Sequence, residues 1–374
     1  MPTQAAGTRL LDLVQLLEPD HRVQVMFTVP QTTDRWHGVE EYVRAQHGLV
    51  LPWQQAIRHS FDLVLAASHR HLDQLRGPIV LVGHGAGTMK SYRYSRKAET
   101  PSLPATGLDR ELLTYRGRVL PAALALGTDS EYEALRTLCP EALSAAVVAG
   151  DSCLDRMNAS RHLREHYRRA LGLPPQRGLI TISSTWSAES SFGRLPDLCS
   201  TILSGVPRAH YAVSAVLHPN VWAVHGRRQV TAWLSDALAA GLLLIPPDQG
   251  WQATMIASDW VIGDQGSTTA YAAAAGTPVT LATHPGDQLR PGSIADVVGH
   301  HAPRLNHDQP LHVQAAMAVE RRAGLVPAVS AAISSRPGQS AKILRRAMYR
   351  QLQLSEPESQ AVTNVLPSPE PVGR

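Results

Sequence analysis

Lysine is nearly absent from this 374-residue chain: three lysines stand against 32 arginines. With 31 acidic residues the formal net charge is only +4. That surplus is too small and too scattered for a polyanion-binding face, so nucleic acid is excluded as the expected partner. Phe, Trp and Tyr together make up 5% of the residues, so no aromatic platform stands out and the cores have to be built from Ala, Leu and Val. Cysteine is scarce too. Cys139, Cys153 and Cys199 are odd in number and lack CxxC spacing, which argues against a disulfide framework or a zinc site and fits a reducing cytoplasm. No apolar run approaches the roughly 18 residues of a membrane span, and residues 1–21 lack the basic-then-apolar pattern of a signal peptide. The chain reads as soluble, or at most peripheral to a membrane.

What is present is 44% hydrophobic residues over a length that suits two α/β domains. Short apolar runs bounded by turn residues alternate with longer helical stretches, the pattern of parallel α/β units. The expected strands are 23–29, 63–67, 79–82, 122–125 and 145–149 in the first half, then 179–183, 212–217, 242–245, 260–262 and 279–282 in the second. Helical patterns cover 131–138, 159–171, 229–240, 268–275 and 312–323. Gly172 and the Pro174-Pro175 pair place the break at 171–178. The expected organisation is an N-terminal Rossmann-like domain over 1–172, a C-terminal one over 173–354 closed by a terminal helix at 337–354, and a disordered, proline-containing tail over 355–374.

In open parallel sheets ligands bind beyond the carboxyl ends of the strands, and four such ends carry unusual residues. Ile79–Val82 runs into Gly83-His84-Gly85-Ala86-Gly87-Thr88-Met89-Lys90, where Gly85 and Gly87 let backbone N–H groups approach a ligand and Lys90 adds a local charge. A tight turn around a half-buried histidine is the plainer reading of the same residues. Trp260–Ile262 leads to Gly263-Asp264-Gln265-Gly266-Ser267-Thr268-Thr269, where Ser267, Thr268 or Thr269 can cap an Ala-rich helix whose N-terminus suits phosphate. His218 follows the strand 212–217, and Ser183-Ser-Thr185-Trp186 follows 179–183; turn chemistry alone would explain either.

Taken in order, HGxGxxK, STW, HP and GDxGS resemble the CDP-glycerol:glycerophosphotransferase family of teichoic-acid polymerases over residues 79–282. Residues 148–155 resemble that family's GxPxxD stretch, with Ser152 in place of the proline. The resemblance implies a GT-B fold, an α/β architecture of two Rossmann-like domains facing a cleft. It implies that His84 is the general base toward an acceptor hydroxyl, a task suited to a pKa near 6.5. It implies also that His218 faces the donor diphosphate, that Ser267 and Thr268 hold it with Asp264 and Gly266 in their turn, and that Thr185 and Trp186 line the nucleotide side. Helix dipole, hydroxyls and imidazole can offset the leaving charge without a metal. Four positions depart from the family pattern. Gly83 replaces a tryptophan, Ser187 an arginine and Gly266 a serine, while Tyr271 stands where an acidic residue is expected.

The expected function is transfer of a glycerophosphate or glycosyl group from a nucleotide-diphosphate-activated donor, CDP-linked by resemblance, to a hydroxyl acceptor, with no separate cofactor. A nucleotide-sugar glycosyltransferase or 2-epimerase of the same fold is the alternative, as is a degenerate member that binds nucleotide without catalysis. Neither His69-Arg70-His71 nor His300-His301 has the companion ligands of a metal site. His284-Pro-Gly-Asp287 reads as a surface turn, and the arginine-rich helix 161–169 as a solvated face.

Overall fold

A computed structural model describes residues 1–30, 38–92 and 106–372. The chain forms two compact units, the first of Met1–Asp155 with Ala332–Asn364 and the second of Arg156–Ala331 with Val365–Arg374. Every expected strand is found, the earliest reduced to Met26–Phe27, which pairs in parallel with Leu49–Val50.

The first unit is built on a four-stranded sheet, β1 (Val64–Ala66), β2 (Ile79–Leu81), β3 (Pro121–Leu126) and β4 (Ala146–Val148), side by side in that order and all parallel. Its strands are apolar on both faces, as a covered parallel sheet requires. Val80, Val82, Ala123 and Ala125 pack on one side with Leu10 and Leu13 of the helix Gln4–Val14 and with Leu344, Met348 and Tyr349 of the helix Ser340–Leu352. Ile79, Leu81, Leu124 and Leu126 alternate to the other side, against Leu113, Leu135 and Ala142.

The second unit contains five parallel strands, β5 (Gly178–Ser184), β6 (Tyr211–Leu217), β7 (Leu243–Ile245), β8 (Trp260–Gly263) and β9 (Val279–Leu281), in the spatial order β7-β6-β5-β8-β9. The chain starts in the middle of this sheet, builds β6 and β7 to one side, then returns to place β8 and β9 on the other. The carboxyl ends of β5 and β8 therefore flank the topological switch point, where open α/β sheets bind ligands.

Four expectations need correction. The chain leaves the first unit after Asp155, not at 171–178, because the arginine-rich helix Arg164–Ala170 serves the second unit. Arg164 donates to the carbonyls of Ile256 and Ser258, and Arg168 donates to those of Ala257 at 2.9 Å and Arg177 at 2.6 Å. Both also pair with Asp259. These guanidiniums satisfy the carbonyls left open where the helix Trp251–Ala257 ends, so this face is a clamp and not a solvated surface.

The terminal helix Ser340–Leu352 belongs to the first unit. Asp155, the acidic residue of the GxPxxD-like stretch, accepts from the Gly338 and Ser340 N–H groups at 2.6 and 3.0 Å and from the Ser340 hydroxyl at 2.5 Å. The expected disordered tail is instead pinned by scattered bonds. Arg345 donates to the Ser359 carbonyl at 2.7 Å, Tyr167 to that of Leu366 at 2.9 Å, and Val372 N–H to that of Leu244 at 2.8 Å. Among the described residues no helix is long and apolar enough to cross a membrane.

Candidate functional site

The loop after β2 holds the first set of expected residues. Gly85 and Gly87 face each other across an isolated antiparallel bridge. Gly87 has a φ of 71°, in the left-handed region that glycine tolerates. A Cβ on Gly83 would lie 2.8 Å from the Gly87 carbonyl oxygen, so this turn has no room for the tryptophan that the resemblance places at position 83.

Two buried charges fasten the loop. Arg9, 6% exposed, donates to the Gly85 carbonyl at 3.1 Å, to the Ser152 hydroxyl at 3.0 Å and to Asp151 at 3.2 Å. On the opposite flank Glu131 Oε1 accepts from the N–H groups of Thr88 at 2.5 Å and Met89 at 3.1 Å, while Oε2 accepts from Gly127 at 2.7 Å. Charge-assisted bonds to backbone N–H groups are among the stronger ones, so the loop is fixed from both sides. Lys90 lies on its exposed side, with its own N–H donated to the Thr106 carbonyl at 2.7 Å.

Sequence reasoning did not single out Arg9 or Glu131. Thr128-Asp-Ser-Glu131 has the spacing of a capping box, and Thr128 Oγ1 accepts from the Glu131 N–H at 3.2 Å. That signal marks a helix start, and nothing local in it says that the carboxylate reaches a loop forty residues earlier.

His84 keeps an open face to solvent. Even so, the protein around it holds its pKa below the usual histidine value, chiefly by desolvation, with the charges of Arg9 and Lys90 acting the same way. A hydrogen bond from its ring to the Ala67 backbone opposes this. The bond also fixes the tautomer: one ring nitrogen carries the donated proton and the other keeps its lone pair. His69, for which the sequence shows no companion metal ligands, lies beside this loop. Desolvation, then the charges of Lys90 and His84, lower its pKa to about 4.

The second set gathers in the second unit at the ends of β5, β6 and β8. Asp264 follows β8 and is fully buried. Its Oδ2 accepts from the Thr185 N–H at 2.8 Å, the Thr185 hydroxyl at 2.9 Å and the Ser191 N–H at 3.0 Å, and its Oδ1 accepts from the Gly266 N–H at 3.0 Å. Burial pushes this carboxyl up and the donated bonds act in the opposite direction. With its oxygens committed to the protein, Asp264 organises the two loops flanking the switch point. Thr185 likewise turns its hydroxyl inward, while Trp186 is 49% exposed.

His218 Nδ1 accepts from the Asn220 N–H at 3.0 Å and so caps the helix Pro219–Trp233. That bond leaves the proton of the neutral ring on Nε2, as a donor. The ring centroids of His218 and Trp186 are 6.4 Å apart. The helix Ser267–Ala274 begins at Gly266, which has no side chain with which to cap it. This corrects the expectation of a hydroxyl cap, and it leaves the first turn, with half-buried Ser267 and Thr268, without an internal oxygen supplied from the cap position. A Cβ at Gly266 would meet the Thr185 methyl at 2.5 Å, which accounts for glycine where the family has serine. Tyr271 is 2% exposed and its ring lies 5.8 Å from that of Trp251, so this position serves the core. Beside Trp186 opens a cavity of about 440 Å³, lined by Phe192, Val221, His225 and Trp233 among others. The Ser187 hydroxyl is buried there without a hydrogen-bond partner among the described residues.

The histidines at 69, 71, 300 and 301 assemble no metal centre: among the described residues no three or more His, Cys, Asp or Glu side chains come together as metal ligands. No family model matches the chain, and no curated protein matches it. Solved structures do. The wall teichoic acid polymerase TagF, as a variant, superposes with a TM-score of 0.62 at 10% identity over 92% of this chain and 85% of that one. A form soaked with CDPG gives 0.59 at 11% identity, over 93% and 85%. UDP-GlcNAc 2-epimerase from Neisseria meningitidis, bound to UDP-GlcNAc, gives 0.50 at 14% identity, over 93% and 98%. At such identities the likeness is one of architecture: the chain has the α/β, parallel-sheet GT-B fold that these proteins share.

Proposed function

We propose that this protein is a transferase that uses a nucleoside-diphosphate-activated donor, CDP-linked, and moves a glycerophosphate or glycosyl group to a hydroxyl acceptor. The observation that carries the reading is the gathering of Trp186, the Nε2–H of His218 and the glycine-started helix Ser267–Ala274 around the switch point between β5 and β8. A helix N-terminus without a side-chain cap and an imidazole donor together suit a diphosphate. The cavity beside Trp186 gives room for the nucleoside or the group that the donor carries.

In this reading Lys90, Gly85 and Gly87 form the rim of the acceptor half of the chemistry. His84 accepts the proton of the acceptor hydroxyl on its unprotonated nitrogen. The hydroxyl oxygen then attacks phosphorus of the glycerophosphate, the bond to the bridging oxygen breaks, and CMP leaves with its charge met by His218 and the first turn at Ser267 and Thr268. For glycosyl transfer the attack falls on the anomeric carbon and the nucleoside diphosphate leaves.

A thermal-shift series with CDP, UDP and GDP, followed by CDP-glycerol and UDP-sugars, tests this. A ligand that binds only the folded protein raises its unfolding temperature by mass action. CDP is expected to give the largest shift. His218→Ala is expected to weaken it at least 10-fold, whereas His84→Ala keeps it and lowers CMP release by roughly 10²–10⁴-fold. No shift with any nucleoside diphosphate would overturn the reading, and binding without release of CMP or UDP from any donor would leave a nucleotide-binding protein without catalysis.

A further inference from the structure

The cavity beside Trp186 is walled by rings of which this chain has few. Two of its seven tryptophans, one of its three phenylalanines and a histidine line the same space of about 440 Å³. Trp186 and Trp233 are 49% and 50% exposed. Indoles left so open add little to the core, and they offer flat faces to a ligand.

Backbone geometry brings these rings together. In an unbroken helix His225 and Trp233, eight residues apart, would stand about 12 Å apart along the axis, yet their ring centroids are 4.8 Å apart in an edge-to-face pair. The helix Pro219–Trp233 breaks at Gly226, which has φ 77° and ψ 153°. A Cβ there would meet nothing within 4 Å, so it is the conformation and not the space that calls for glycine. The break lets the second half of the helix turn back, and Trp233 comes to lie 6.2 Å from Phe192 as well.

Polar groups are sparse in this wall. The Ser190 hydroxyl is committed to the Gly193 N–H at 3.0 Å. Asp197 lines the same cavity, is exposed, and makes no side-chain hydrogen bond or ion pair with any described residue. A glycerophosphate is anionic and has no flat face, so a carboxylate among aromatic rings does not suit it. A sugar ring carries several hydroxyls, each in need of a polar partner. A nucleobase has two flat faces that stack on aromatic side chains. Cytosine presents an amino group, N4–H₂, where uracil presents the acceptor O4; a carboxylate accepts from the first and repels the second.

We propose that this cavity holds the base of the donor against the faces of Trp186 and Trp233, and that Asp197 selects cytosine over uracil by accepting from the exocyclic amine. Where the base lies and what chooses it rest on the nucleotide-binding reading above.

Binding of CMP, UMP, CDP and UDP to the full chain, followed by calorimetry and by quenching of tryptophan fluorescence, tests both. CMP is expected to bind about 10-fold more tightly than UMP. Asp197→Asn, an isosteric change at an exposed position, offers a donor as well as an acceptor and is expected to bring that ratio to about 1. Trp233→Ala is expected to weaken CMP and UMP alike, by about 10-fold, and Trp233→Phe, which keeps a ring face, to restore part of the loss. A preference for CMP that survives in Asp197→Asn, or a CMP affinity that survives in Trp233→Ala, would overturn the proposal. If CDP then still depends on His218, the nucleotide-binding reading stands and the base lies elsewhere; if no nucleoside phosphate binds the unaltered chain, both fall.

Discussion

Asp264 shows how one buried carboxylate can organise two loops from inside the protein. Each of its four close partners donates, so an amide in its place turns an NH₂ group toward an N–H and loses at least one bond in a fully buried setting. Asp264→Asn is expected to cost about 1–3 kcal/mol, read as a lower urea midpoint with an unchanged slope. The histidines give two pH predictions of different kinds. In the proposed transfer His84 acts as a base only when neutral, and its lowered pKa places the acid limb of kcat/KM below the ordinary value of about 6.5. A limb above 6.5 would contradict the environment described for it. His69 titrates near 4 when folded and near 6.5 when unfolded, so between these values the unfolded chain binds the extra proton. Stability is therefore full above about pH 6.5 and falls as the pH drops toward 4. Urea titrations across this window are expected to show a loss of up to about 3 kcal/mol from this group, absent in His69→Gln.

The strands were legible because their apolar runs are short, continuous and bounded by turn residues. The order of the motifs after β2, β5, β6 and β8 was legible because parallel topology puts every such loop at one edge of a sheet. What holds those loops was not. Glu131 belongs to one helix and bonds the amides of residues 88 and 89; Arg9 belongs to another and reaches Gly85 and Asp151. Such bonds depend on which elements become neighbours, and residue spacing along the chain carries no trace of that. Gly266 and Tyr271 looked like lost functional residues, yet one clears space for Thr185 and the other fills the core. The tether at Glu131 is open to a direct test. Glu131→Ala leaves three backbone N–H groups without their carboxylate, which is expected to raise amide hydrogen exchange at Thr88 and Met89 by roughly 10- to 100-fold while the strand β3 stays protected. Unchanged exchange at those two amides would mean that Arg9 alone holds the loop.

The chain does not divide once in the middle. It leaves the first unit at Asp155, builds the second, and returns from Ala332 to Asn364 to close the first before Val365 ends in the second. The sequence pattern hid this because a terminal amphipathic helix carries an apolar stripe but no address. The address is supplied by partners far away: Asp155 at its start, and Asp20 near its end, which accepts from the Tyr349 hydroxyl at 2.8 Å and pairs with Arg22 at 2.7 Å. Leu344, Met348 and Tyr349 are buried in the core beside β2 and β3. At about 1.5–3 kcal/mol for each fully buried large side chain, their loss amounts to about 5–9 kcal/mol, comparable with the whole stability of about 5–15 kcal/mol of an ordinary domain. Met348→Asp forces a charge into that core, at a residue far along the sequence from the sheet it would damage. Hydrogen exchange mapped over the full chain is expected to show lost protection at Val80, Leu124 and Ala125, and retained protection at Val213 and Val261 in the second sheet. The opposite pattern, with the second sheet exposed and the first intact, would place the terminal helix in the second unit and return the division to the one that the Gly-Pro break at 171–178 suggests.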